Sequence, residues 1–142
     1  QNEHRLNMAL EYGADQGVRA GDRDVNDVRG LTRNVGVDLI IDFVGTDETH
    51  AKSMEMLRKG GTYFVVGYGG ALKVPSLNII NNEFNIIGNL VGNYNELYEL
   101  MQLYAQGKVK LHCTQYDLKE ANQVLDMLDA GKINGRAVLV PA

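Results

Sequence analysis

The feature that most constrains this chain is the run Val37-Asp38-Leu39-Ile40-Ile41-Asp42-Phe43-Val44, apolar, β-branched, of strand length and with little alternation. A strand reads this way when both its faces are covered, which favours a parallel sheet under helices. The chain has 142 residues, close to the ~150 of one domain, so the sheet and its helices must come from this run and its neighbours.

The neighbours alternate helix and strand. Leu6, Ala9 and Leu10 fall at i, i+3 and i+4 before Gly13, so residues 3–12 read as a helix, and residues 16–20 as a first short strand. Asp22 or Asp24 can cap a second helix carrying Val25, Val28 and Leu31 and ending near Arg33. Thr46 or Asp47 can cap a third, with Ala51, Met54 and Leu57, which stops at Gly60-Gly61 before a strand over residues 62–68. Beyond Gly69-Gly70 and Pro75, the segment from Leu77 to Ile80 reads as a short edge strand, and residues 84–91 as another strand. Leu97, Leu100, Met101 and Tyr104 predict a helix over 95–106, followed by a strand over 111–116. Asp117 with Glu120 forms a capping box for a helix carrying Ala121, Val124, Leu125 and Leu128, closed by Gly131, and residues 138–140 are the last strand. Strand and helix in alternation, joined by short glycine-bearing loops, predict an α/β fold with a doubly wound parallel sheet.

Such sheets bind ligands beyond the carboxyl ends of their strands, so the loops after Val44, Tyr68 and Val91 are the places for one. Their glycines either let a flat ligand approach the backbone or simply make turns. Composition narrows the classes. With 44% hydrophobic and 23% charged residues the chain can bury a core without staples. Fourteen basic against 18 acidic residues, net −4 and a pI near 5.3, argue against nucleic-acid binding. No apolar run approaches the ~18 residues of a membrane span, and the polar start Gln1-Asn2-Glu3-His4-Arg5 is no signal peptide. A single cysteine, Cys113, excludes an internal disulfide framework and fits a reducing cytoplasm. A helical pattern begins almost at the first residue without an initiator methionine, so the chain is expected to be cut from a longer one.

Catalytic chemistry is hard to find in the residues themselves. Of His4, His50 and His112 only His112 has a cysteine neighbour, and adjacent strand residues point to opposite faces, so neither a metal site nor a Cys–His nucleophile is expected. Gly67-Tyr68-Gly69-Gly70 follows a strand, but no G-x-G-x-x-G or G-x-x-x-x-G-K-[ST] occurs. Asp38 and Asp42 share a strand face; Asp42 more naturally ends the strand or caps the next turn than serves as half of an acid–base pair. Tyr94, Tyr98 and Tyr104 read as a helical packing surface.

Four segments in order, Gly36 to Gly45, Leu57 to Gly67, Ile87 to Gly92 and Gly135 to Pro141, closely resemble the medium-chain dehydrogenase family, nearest its zinc-type NAD-dependent alcohol dehydrogenases. The resemblance covers essentially the whole chain. It implies the C-terminal part of such an enzyme: an incomplete Rossmann-like sheet lacking its first two strands over 1–109, and a tail over 110–142 that returns to the catalytic domain. The zinc ligands and glycine fingerprint would lie outside this chain, which alone would be inactive.

Carried over residue by residue, the resemblance implies a cofactor surface. Arg5 matches a basic residue near the adenosine ribose, although it also suits a solvated helix position. Val44, Gly45 and Thr46 match the adenine-side loop, and Val66, Gly67 and Tyr68 the nicotinamide side. Asn89 and Val91 match main-chain holders of the carboxamide, and Arg136 an arginine reaching the pyrophosphate, or else a surface charge. Gln1, Asn2 and Glu3 offer no cation to a 2′-phosphate, which favours NAD. The implied reaction is hydride transfer between an alcohol or carbonyl substrate and NAD, with zinc held elsewhere. The alternatives are a zinc-free quinone or enoyl reductase of the same superfamily and a non-catalytic dinucleotide-sensing module. Residues 76–82 match a strand pair that joins two coenzyme domains, which implies a homodimer or tetramer.

Overall fold

A computed structural model describes residues 3–141; Gln1 and Asn2, two of the three residues expected to favour NAD, lie outside the described residues. Contacts divide the chain into two compact units, one through Val91 and one from Gly92.

The first unit is built on three parallel strands in the order β1 (Val37–Asp42), β2 (Leu57–Val65) and β3 (Asn85–Gly88). This is the order of strands four to six in a doubly wound sheet. Ile40, Tyr63 and Ile86 stand opposite one another on one face, and Ile41, Phe64 and Ile87 on the other. The crossovers β1–α3–β2 and β2–α4–β3 run in the same direction, and crossovers of one hand then put α3 (Asp47–Met56) and α4 (Ser76–Asn82) on one face. On that face His50 and Ser53 of α3 are buried and Tyr63 is fully enclosed. Leu39 and Ile41 on the opposite face are 49% and 52% exposed, so among the described residues β1 is covered on one side rather than both.

Four local expectations change. Residues 16–20 form no strand: in the doubly wound order this strand would ladder onto one that the described residues lack, and its Arg19 instead reaches Glu3 of α1 (Glu3–Glu11) at 2.6 Å. Neither Asp22 nor Asp24 caps α2 (Asp24–Leu31); Arg23 holds that position, and Asp24 turns its buried carboxylate to Lys52 Nζ at 2.9 Å and to the Gly21 and Val25 amides. Helix α3 ends at Met56 and β2 starts at Leu57, with Arg58 to Gly61 forming an irregular stretch opposite Asp38. Arg58 ion-pairs with Asp38 there. The expected edge strand at 77–80 is helix α4. Pro75 fits the helix entrance because it needs no amide donor, and its carbonyl receives the Asn78 and Ile79 amides. Leu77 and Ile80, three apart, then share an exposed helical face, so pairing across a twofold axis through this segment as a strand is not available.

The second unit holds α5 (Tyr94–Ala105), β4 (Cys113–Asp117), a 3-10 turn (Leu118–Glu120), α6 (Ala121–Asp129) and β5 (Arg136–Val140). Strands β4 and β5 pair in parallel, Cys113 opposite Arg136 and Asp117 opposite Val140. Val124 and Ile133 are its buried apolar residues, and the Asp117–Glu120 capping box forms on the 3-10 turn rather than on α6, whose N-cap Glu120 makes no side-chain cap.

Candidate functional site

The site grows from the carboxyl end of β1. Asp42 closes the strand, and its Oδ1 accepts the amides of Val44 (2.8 Å) and Gly45 (3.0 Å), folding the chain into the turn that leads to α3. Its main-chain carbonyl accepts two more amides, Val66 (3.0 Å) and Gly67 (2.8 Å), from the loop after β2. Oδ2 accepts the Thr49 hydroxyl at 2.7 Å and the Tyr63 hydroxyl at 2.8 Å. Thr49 in turn completes the capping box of α3, in which the Thr46 and Thr49 side chains each accept the other's amide. The Tyr63 hydroxyl has one hydrogen and gives it to Asp42, so His50, whose Nδ1 lies 2.6 Å from that oxygen, is the donor and carries its proton on Nδ1.

Burial raises the proton affinity of the Asp42 carboxyl, but the hydrogen bonds from Gly45, Thr49, Tyr63 and Val44 outweigh it and hold the group below the ordinary aspartate value. Burial pushes the Tyr63 hydroxyl well above the ordinary tyrosine value, and the bond to Asp42 and its negative charge add to the effect. The pair is therefore a fixed carboxylate and a fixed phenol, a restraint rather than an acid–base couple. This is the strand-ending role, and Asp38 plays no part in it.

The loops after β1 and β2 also touch backbone to backbone. A Cβ on Gly45, which has φ +70°, would fall 2.2 Å from the Gly67 carbonyl, and one on Gly67 would fall 2.4 Å from the Val44 carbonyl carbon. These glycines answer to each other: each is small because the other loop crosses it. Five of the sequence-derived site residues, Val44, Gly45, Thr46, Val66 and Gly67, thus form one hydrogen-bonded cluster, with Tyr68 following at 94% exposure.

On the open face of the sheet, Leu39, Ile41, Phe64, Val66, Asn89 and Val91 line a recess of about 430 Å³. Its walls are apolar apart from Asn89, whose main-chain amide extends the ladder to the Val65 carbonyl at 2.9 Å and whose side chain reaches the Ile87 carbonyl. Val91 has φ +40°, an uncommon and strained conformation for a β-branched residue, at the recess rim. Apolar walls with one polar residue, Asn89, suit a flat and largely apolar group. Arg5 is exposed on α1, outside both clusters. Arg136 is exposed at the start of β5 in the second unit; its amide bonds the His112 carbonyl and its guanidinium the Gly135 carbonyl. Asp42, Thr49, His50 and Tyr63 were absent from the sequence-derived site, and the signal that could have found them is an aspartate closing an apolar strand just before Val44-Gly45-Thr46.

A zinc ion does not fit these residues. No three His, Cys, Asp or Glu side chains among the described residues gather where a metal could be held.

Known proteins are similar to this chain in sequence and in fold. The profile of the family described as zinc-binding dehydrogenase matches residues 1–106. An NAD-dependent alcohol dehydrogenase of Sulfolobus acidocaldarius is 39% identical over 97% of this chain and 40% of its own length. Its counterpart in Sulfurisphaera tokodaii is 38% identical over 98% of this chain and 41% of its own. The crystal structure of the alcohol dehydrogenase of Aeropyrum pernix superposes with a TM-score of 0.92 at 42% identity, covering 99% of this chain and 41% of that one. The chain thus spans about two fifths of the length of these relatives. A fold, an ordered set of motifs and a profile covering three quarters of the residues agree, and the chain belongs to the zinc-binding dehydrogenase family.

Proposed function

We propose that this chain forms the NAD-binding region of an alcohol dehydrogenase that passes a hydride between an alcohol or carbonyl substrate and NAD. The observation that carries the reading is the convergence of Val66, Asn89 and Val91 on an apolar recess at the carboxyl ends of parallel strands. NAD, when bound, supplies the hydride acceptor. The chain's own part is to bind and orient. Val66, Asn89 and Val91 hold and aim the nicotinamide, their neighbours Gly67 and Tyr68 complete that side, and Val44, Gly45 and Thr46 flank the adenine side. Arg5 reaches the ribose, and the Arg136 guanidinium pairs with the pyrophosphate.

The family profile ends at residue 106, which supports a functional boundary near 109/110 between the coenzyme part and the returning tail, although the compact units part after Val91. The reading takes the protein as a cytoplasmic homodimer or tetramer. Exposed Leu77 and Ile80 on α4 support assembly, and one exposed thiol, Cys113, suits a reducing compartment. Sedimentation of the purified protein at rising concentration tests the assembly, and a monomer throughout would reject it.

Titration of NAD and NADP into the full-length wild type and Arg136→Ala tests the coenzyme assignment. Losing a charge-assisted hydrogen bond weakens binding by roughly 1.5–3 kcal/mol, about 10- to 150-fold, and equally for both cofactors because they share the pyrophosphate. Glu3, which would repel a 2′-phosphate, is already engaged by Arg19 at 2.6 Å, so the expected preference for NAD is modest. Unchanged affinity in Arg136→Ala removes that residue from the site, and tighter NADP binding overturns NAD.

A further inference from the structure

We infer that Asp42 is a positioning residue that locks the adenine-side and nicotinamide-side loops into one rigid unit, an inference that rests on the NAD reading above. Four loop amides converge on this one residue: those of Val44 and Gly45 on Oδ1, and those of Val66 and Gly67 on its carbonyl. No other residue bonds both loops among the described hydrogen bonds. The loops are also in steric register, because Gly45 and Gly67 cross at distances no side chain would fit.

Asp42 does not itself reach the recess. It is buried, and it follows Ile41 in the strand, so their side chains point to opposite faces; Ile41 lines the recess. Whatever Asp42 contributes to coenzyme binding therefore passes through the loops. The position calls for an acceptor oxygen, because all four groups that hydrogen-bond its side chain, two amides and two hydroxyls, donate. Tyr63 and Thr49 hold the far oxygen, and His50 holds Tyr63, so the carboxylate cannot rotate away from the loop amides.

The test compares Asp42→Ala and Asp42→Asn with the wild type in the full-length protein, well below each variant's melting temperature. Asparagine keeps one acceptor oxygen for Val44 and Gly45, and its neighbouring hydroxyls can turn to accept from the amide group; alanine keeps nothing. The expected result is an NAD dissociation constant about tenfold higher in Asp42→Ala and within about threefold of wild type in Asp42→Asn, with kcat at saturating NAD changed less than KM for NAD. Hydrogen exchange read on peptides covering 43–46 and 66–70 gives the decisive second readout. Both peptides should exchange about tenfold faster in Asp42→Ala, although the acceptor of the Gly67 amide is a main-chain carbonyl that the substitution leaves in place. Wild-type NAD affinity in Asp42→Ala, exchange confined to 43–46, or no rescue by asparagine would each overturn the lock. A wild type that binds no NAD would instead overturn the coenzyme reading, and the exchange data would still decide whether the loops are coupled.

Discussion

Gly45 and Gly67 meet backbone to backbone at the carboxyl ends of β1 and β2, so close that a Cβ on Gly45 would lie 2.2 Å from the Gly67 carbonyl oxygen. Gly45→Ala combines this overlap with a φ of +70°, and Gly67→Ala meets the Val44 and Phe43 backbone. A left-handed conformation costs an alanine about 1–2 kcal/mol and overpacking a further ~1–3 kcal/mol, so Gly45→Ala should lose about 2–5 kcal/mol and Gly67→Ala about 1–3. Gly88→Ala, whose Cβ meets nothing within 4 Å, should stay within about 1 kcal/mol of wild type. Urea unfolding of the three variants checks the order, and equal midpoints for Gly45→Ala and Gly88→Ala would refute the crossing.

Gly30 offers the opposite case. It lies inside α2, and a Cβ there also meets nothing within 4 Å. Replacing a helical glycine by alanine removes backbone freedom from the unfolded chain, so Gly30→Ala should raise stability by about 0.5–1 kcal/mol. A lower melting temperature would show that something contacts that face of α2.

Asn93 begins α5 with a reciprocal cap: its side chain accepts the Glu96 amide at 3.0 Å, and the Glu96 carboxylate accepts the Asn93 amide at 2.6 Å. Asn93→Ala should cost about 0.5–2 kcal/mol and Asn93→Gly only a few tenths. Circular dichroism during thermal unfolding measures both, and an alanine variant as stable as the glycine one would count against the cap.

Much of this was legible along the chain, for reasons visible in particular residues. The long apolar run of β1 and the 3.6-residue periods of α5 and α6 are local signals, and they formed where expected; the Asp117–Glu120 box formed too, but on the 3-10 turn that precedes α6. Helix α4 was not legible, because a short apolar run around Ile79 and Ile80 suits either period, and Pro75 opens a helix as readily as it borders an edge strand. The position of Asp42 at the close of the apolar run is enough to mark it as a strand end. Its partners Tyr63 and His50 could not be read, since Tyr63 stands 21 residues from Asp42 and meets it only when β2 pairs with β1.

That pairing also sets the response to pH. Asp42 titrates in the folded chain below its ordinary value of 3.8, so its contribution to stability is complete above that pH and fades as pH falls through the lower folded value. Tyr63 titrates above its ordinary value of 10.0, so its contribution is complete below pH 10.0 and fades as pH rises toward the higher folded value. Denaturant midpoints of the wild type should therefore decline on both flanks. Asp42→Asn should flatten the acid flank, below the ordinary aspartate value of 3.8, and leave the alkaline one sloping less steeply, because Tyr63 loses the negative neighbour that helps to raise it. Tyr63→Phe should flatten the alkaline flank while costing about 1–3 kcal/mol near neutral pH, since it leaves buried His50 Nδ1 without its acceptor. An acid flank as steep in Asp42→Asn as in wild type would mean that other carboxylates, Asp24 with its Lys52 partner first among them, carry the acid sensitivity instead.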